Sequence, residues 1–259
     1  RRQRQMCIRD RPRLGIVPGS SISSLPQGAG VSQVHNKEWD RTIMVGLLSE
    51  KRLSTYLAAT DGVLDTAFEL YAWNTQLAGA MLSATAMVEV VVRNSIDRTL
   101  TAWNATRYGY DDWFALPALD SRAREDVAKA RARVERNGST PNHDKIVAEL
   151  SFGFWRFLTS RRYHASIWVP ALHKAFSFGD SDLRKRQRET ARLLGNMNFL
   201  RNRAAHLEPI FRRNIARDIA EARCLMRWVD PQALLWFDDT LRLDDVLKVK
   251  PTIKPRLIN

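Results

Sequence analysis

Cysteine is nearly absent: Cys7 and Cys224 are the only two in 259 residues. They stand far apart and without metal-ligand spacing, so neither a disulfide framework nor a zinc site follows from them, and a reducing cytoplasmic setting fits. No histidine has a second histidine or a carboxylate at zinc-ligand spacing, and no glycine-rich phosphate loop is present. Strand-like alternation of useful length is missing too, which removes β and α/β architectures and predicts an all-α fold. No apolar run reaches the length of a membrane span, and the arginine-rich N-terminal stretch lacks the apolar core of a secretory signal. Acidic residues are also in deficit. Against 41 Lys and Arg there are 28 Asp and Glu, a formal charge of +13. Six arginines and one aspartate within residues 1–14 supply +5 of it, residues 15–43 are neutral, and +8 remains for the rest. That excess favours polyanions such as RNA without specifying a site.

Residues 1–43 crowd Pro, Gly and Ser without sustained periodicity and read as a disordered extension outside the fold. Gln5-Met6-Cys7-Ile8-Arg9-Asp10-Arg11 resembles translated sequencing-adapter sequence, so the native chain is expected to begin near Met44. A natural basic arm is the rival reading. Residues 44–240 form the expected helical domain, and residues 241–259, with Pro251 and Pro255, a loosely ordered tail.

Within the domain, Ser49 is an N-cap for a helix carrying Leu53, Tyr56 and Leu57, and Asp61-Gly62 breaks it. A second helix runs to about Tyr71. Leu77–Leu100 is apolar on too many sides for a single stripe and reads as a buried helix. Glu89 and Arg93 stand four apart within it, the spacing of an ion pair. Such a pair either fixes helix packing or orients a functional group on a neighbouring helix. Residues 101–120 read as an aromatic loop whose rings cap the core by default, with base stacking the other use. Residues 121–136 form a basic helix closed by Asn137-Gly138. Thr140-Pro141 opens the next helix, through Phe154. Asp180-Ser181-Asp182 opens a long helix with a stripe of Leu183, Thr190, Leu193, Leu194, Met197 and Leu200, while Arg184, Arg188 and Arg192 face elsewhere. Pro209 is expected to start the following helix, which reaches Trp228. His164 and His173 have no acid nearby in sequence, and His143 and His35 carry no signal.

The chemistry-bearing stretch is Met197–Phe211. It ends a helix that carries Arg201, Asn202, Arg203 and His206, and Pro209 stops it, which puts His206 near the helix C-terminus. Unpaired carbonyls there favour a protonated imidazole. Asn202 and Arg203 share a face with His206; Arg201 lies well round the helix but carries a long side chain. A guanidinium clamps phosphate through two parallel hydrogen bonds, and an imidazole shuttles the proton of an attacking or leaving oxygen. Taken alone, such an end is more often a C-cap and a solvated surface than an active site.

Arg201-Asn202-Arg203-Ala204-Ala205-His206 resembles the Arg-Asn-x-x-x-His signature of HEPN ribonucleases. With Glu208-Pro209-Ile210-Phe211 following, it is similar to the abortive-infection (Abi-like) branch of that superfamily. Two further stretches, Leu70–Asn74 through Val88–Asn94 and Val147–Trp155, resemble the same branch, so the likeness runs from about Leu47 to Trp236. Leu207 departs from the polar residue that many relatives place after the histidine. The resemblance implies a HEPN-like helical bundle with additional helices that dimerises so that two motif helices meet. It implies a metal-independent endoribonuclease of phage defence, or a growth-arresting toxin. In that mechanism His206 is general acid/base, Arg201 stabilises the charged phosphorane and Asn202 orients; Glu89 and Arg93 support them, and Arg203 contacts the RNA backbone. No cofactor or metal takes part. The implied partners are RNA, a second copy of the chain, and an antitoxin or phage-derived trigger, with no membrane. The alternatives are a non-catalytic RNA-binding module and a protein-interaction helical module.

Overall fold

One helix organises the chain. In the computed structural model, which describes residues 39–252, α1 (Arg41–Leu48) and α2 (Glu50–Leu57) lead into α3 (Leu64–Tyr108), a 45-residue helix. At 1.5 Å per residue α3 is about 68 Å long. Leu70, Trp73, Leu77, Met81, Ala84, Val88, Val92, Ile96 and Leu100 are buried along it at three- and four-residue steps. Each large side chain so buried contributes about 1.5–3 kcal/mol. The two helices expected over this stretch are therefore one, because nothing near Tyr71 interrupts the ladder, and Trp103 and Tyr108 are helical rather than in a loop. Gly109, at φ +81°, ends it.

α3 also holds an 18-residue window with mean hydropathy 1.4, so by length and composition it is long and apolar enough to cross a membrane. This corrects the reading that no such run exists. Here its apolar side packs against α2, the helices Phe152–Leu158, Leu183–Ala205 and Ile215–Val229 and the 3₁₀ turn Leu172–Phe176 as the core helix of the bundle.

The remaining elements are α4 (Ser121–Arg136), α5 (His143–Glu149), α6 (Phe152–Leu158), α7 (Leu183–Ala205), α8 (Ile215–Val229), α9 (Pro231–Thr240) and α10 (Asp244–Lys248). Among the described residues there is no strand, and the fold is all-α. Asp120 caps α4 by accepting from the Ala123 amide at 2.9 Å, and Gly138 turns the chain at φ +71°. The cap expected at Thr140 is supplied by Asn142, which accepts from the Lys145 amide. The helix expected through Phe154 breaks at Leu150, where Ser151 caps α6. Trp113 and Phe114 of the aromatic stretch are buried, as core-capping residues are, whereas Tyr108 and Tyr110 are exposed. His143 Nε2 lies 2.7 Å from Asp97 Oδ1, and the Trp113 indole donates to the same oxygen at 2.8 Å.

α1 begins at Arg41, three residues before Met44. The stretch after residue 240 is held rather than loose: Leu243 is buried, the Trp73 indole donates to the Val246 carbonyl at 2.8 Å, and Lys250 lies over the Trp73 ring. The disorder expected for residues 1–38 and the end of the tail fall outside the described residues.

Candidate active site at the end of α7

Asp182 opens α7 by accepting from the amides of Arg184 and Lys185. Thr190, Leu193, Leu194, Met197, Leu200 and Ala204 bury one side of it against the bundle. Its other end closes as a Schellman motif. His206 is the C-cap, the Leu207 amide donates to the Ala204 carbonyl at 3.0 Å, and the Glu208 amide donates to the Arg203 carbonyl at 2.9 Å. Leu207 occupies the left-handed position at φ +50°, where a Cβ costs about 1–2 kcal/mol. Its side chain is half-buried against the core, which offsets part of that strain. Pro209 consequently lies in a turn and not in a helix; α8 starts only at Ile215, capped by Asn214.

Two other helices hold this end in place. Arg52 of α2 donates from Nη2 to the His206 carbonyl at 3.5 Å and from Nη1 to the Leu207 carbonyl at 3.3 Å. Those two carbonyls are thus taken by a guanidinium. Asn74 of α3 is 1% exposed. Its Oδ1 accepts from the Ile210 amide at 2.8 Å and the Phe211 amide at 3.1 Å, and its Nδ2 donates to the Glu208 carbonyl at 3.4 Å. Beneath the turn, the Phe211 ring meets Tyr56 at 5.3 Å. Burial, with the neighbouring Tyr71, pushes the Tyr56 hydroxyl up to about 12, so it stays neutral.

On this pedestal Arg201, Asn202 and His206 are all exposed. Their side chains make no hydrogen bond or ion pair among the described residues. An ideal helix sets Arg201 about 140° round from His206. Arg203 differs: it pairs with Glu208 at 3.0 Å, donates to the Pro209 carbonyl at 3.2 Å and lies over the Phe199 ring. It is a brace for the turn, and any contact with RNA competes with these bonds.

Across the seam, half-buried Glu89 of α3 lies within electrostatic reach of Arg201. Burial raises its carboxyl above the ordinary range, while Arg201 and then Arg93 oppose the shift. The ion pair expected between Glu89 and Arg93 is not formed among the described residues, and Arg93 Nε is buried without a partner.

The far flank of α7 is tied to α8 by a buried network. Asp218, 2% exposed, accepts from Arg213 Nη2 and Nε at 2.7 and 2.8 Å and from Asn196 at 2.9 Å. Glu221 accepts from Asn196 at 2.6 Å and from Arg192 at 2.7 Å. Beside the motif turn, Ser49, Lys51, Arg52 and Thr55 form a shallow pocket of about 320 Å³ with Leu207–Pro209. Among the described residues no group of three or more His, Cys, Asp or Glu is placed to hold a metal ion.

Asn74 and Arg52 are the site residues that sequence reasoning missed. A carboxamide on the apolar face that carries Leu70, Trp73 and Leu77 was a readable signal; Arg52 gave none. No family model matches the chain, and no curated protein or solved structure is significantly similar to it.

Proposed function

We propose that this protein is a metal-independent endoribonuclease of HEPN type, acting in phage defence or as a growth-arresting toxin. The observation that carries the reading is the end of α7, which exposes the Arg201 guanidinium and the His206 imidazole, neither in a hydrogen bond or ion pair among the described residues, while Arg52 and Asn74 hold the backbone of the turn. His206 acts as general acid/base on the ribose 2′-hydroxyl or the leaving 5′-oxygen. Arg201 stabilises the phosphorane charge, and Asn202 orients the phosphate. Glu89 and Arg93 are positioning residues for Arg201, and Arg203 contributes an RNA contact. Because Arg201 and His206 diverge around one helix, a homodimer that supplies each from a different protomer completes the site. The reaction takes place in the cytoplasm, without a cofactor.

One observation favours a second reading, a non-catalytic RNA-binding or protein-interaction module: no side chain among the described residues orients the His206 ring. Expression in a bacterial host separates the two. Growth arrest by the wild type, relieved by Arg201→Ala with His206→Ala at equal protein levels, is the expected result. Unrelieved arrest rejects the catalytic assignment.

A further inference from the structure

A second pocket lies away from the motif. It is about 600 Å³, between residues 161–164 and the first turns of α7, and is lined by Arg161, His164, Arg184, Gln187, Arg188 and Ala191. Volumes of this size hold nucleotide-scale ligands. No carboxylate lines it. None of its three guanidiniums has an acidic partner within ion-pair distance among the described residues, although two arginines beside them do. Arg162 pairs with Asp120, and Arg192 with Glu189 and Glu221. The nearest acids that feel Arg188, Asp182 and Glu189, are engaged by the α7 amides and by Arg192.

The histidine in this pocket is set in one orientation. Gln187, 4% exposed, donates from Nε2 to the Ser160 carbonyl at 2.8 Å, which can only accept. Its Oε1 is therefore the atom that faces His164 Nδ1 at 2.6 Å, so Nδ1 carries the proton. Nε2 is left without a partner among the described residues. His164 also begins a π-helical turn, His164–Trp168, in which the Val169 amide donates to the His164 carbonyl at 2.9 Å. Such turns are rare and cluster at functional sites. The frame is rigid: Trp168 donates to the Leu183 carbonyl at 2.8 Å, and buried Arg186 donates to the carbonyls of His173, Gly179 and Asp180.

We propose that this pocket binds phosphate, presented either by an RNA chain or by a free nucleotide. Three uncommitted guanidiniums supply the forked donors that phosphate oxygens take, and His164 Nε2 meets a P–OH or a ribose hydroxyl. The placement along α7 bears on the RNA source. Arg184 and Asn202, like Arg188 and His206, are separated by eighteen residues, five whole turns, so the pairs share one line about 27 Å long. That is about eight steps of a stacked strand at 3.4 Å each. The pocket stands on its own residues and does not require cleavage at His206.

The test is equilibrium binding of two probes to the full chain: adenosine triphosphate, and a fluorescent 2′-O-methyl oligouridylate of about twelve nucleotides, which resists cleavage. Arg184→Gln with Arg188→Gln removes two exposed cations, and unchanged melting verifies the fold. Arg131→Gln with Arg136→Gln on α4 removes the same charge elsewhere. The pocket variant is expected to lose about tenfold or more in affinity, and the α4 variant to stay within about twofold. His164→Asn, whose amide reproduces the Nδ1 donor, is expected to lose severalfold. Loss on the oligonucleotide alone assigns the pocket to chain phosphates; loss on adenosine triphosphate assigns it to a free nucleotide. Equal loss in the pocket and α4 variants, no loss, or a wild type that binds neither probe overturns the proposal. A wild type that binds but never cuts RNA leaves the pocket standing and removes the nuclease.

Discussion

Replacing Asn74 by alanine tests whether α3 holds the motif turn from beneath. The change removes both accepted hydrogen bonds, leaving the amides of Ile210 and Phe211 without an acceptor in a place where those residues are 0% and 6% exposed. A buried donor left unmade costs about 1–3 kcal/mol, so the pair costs about 2–6 kcal/mol, toward the lower end if water enters the vacated space. The long bond to the Glu208 carbonyl, 3.4 Å, adds little. For a domain of this size each kcal/mol lowers the melting temperature by roughly 2–4 °C, so a fall of roughly 4–24 °C is expected. Hydrogen exchange localises the effect. Amides of residues 210 and 211 should lose protection by a factor of ten or more, on the order of the 1.4 kcal/mol per decade relation, while those of α4 and α5 are unmoved. Ribonuclease activity, measured well below the melting transition, should fall further than the folded fraction does, because His206 rides on that turn. A melting temperature within about 2 °C of wild type and unchanged exchange would refute the reasoning.

Four other perturbations follow from the same geometry. Asp218→Ala leaves the Arg213 guanidinium between α7 and α8 without its carboxylate; with Arg213 partly solvated, a loss of about 3 kcal/mol is expected in urea unfolding. Glu89 has a folded-state carboxyl raised by burial, so its contribution favours the folded state only at acid pH and is lost as pH rises through that raised value. Glu89→Gln should therefore raise the melting temperature relative to wild type at pH near 8, with the gain shrinking toward acid, while activity drops; a gain that grows toward acid would contradict the assignment. Leu207→Gly relieves the left-handed strain but discards half-buried packing. Its unfolding free energy should stay within about 1 kcal/mol of wild type, whereas Leu200→Ala, in the core, should lose about 2–5 kcal/mol.

What could be read from the sequence was local. The caps at Ser49 and Asp182, the turns at Gly62 and Gly138 and the end of the motif helix at His206 each depend on neighbours within a few residues, and the structure has them. Where local signals competed, the reading slipped. Thr140-Pro141 and Asn142 are all cap-forming residues, and Asn142 is the one that accepts a hydrogen bond. Pro209 is a good first helical residue, but the left-handed Leu207 turns the chain before a helix can start. The Glu89–Arg93 spacing permits an ion pair, yet burial and Arg201, more than a hundred residues away, draw on the same carboxylate. Long-range support was invisible for the same reason: Asn74 reaches 134 to 137 residues along the chain and Arg52 reaches 154 and 155. The second pocket was not legible: Arg184 and Arg188 read only as facing away from the buried stripe, and the π-helical turn that carries His164 has no readable sequence signal.

The most direct test of the ribonuclease reading is cleavage of a labelled RNA in EDTA by the wild type, by His206→Ala and by Arg201→Ala, with a matched strand carrying one 2′-deoxy sugar at the cut position. The account predicts cleavage by the wild type only, ends bearing a cyclic phosphate, and no cut at the deoxy sugar. Equal cleavage by wild type and His206→Ala, or cutting that ignores the missing 2′-hydroxyl, would contradict it.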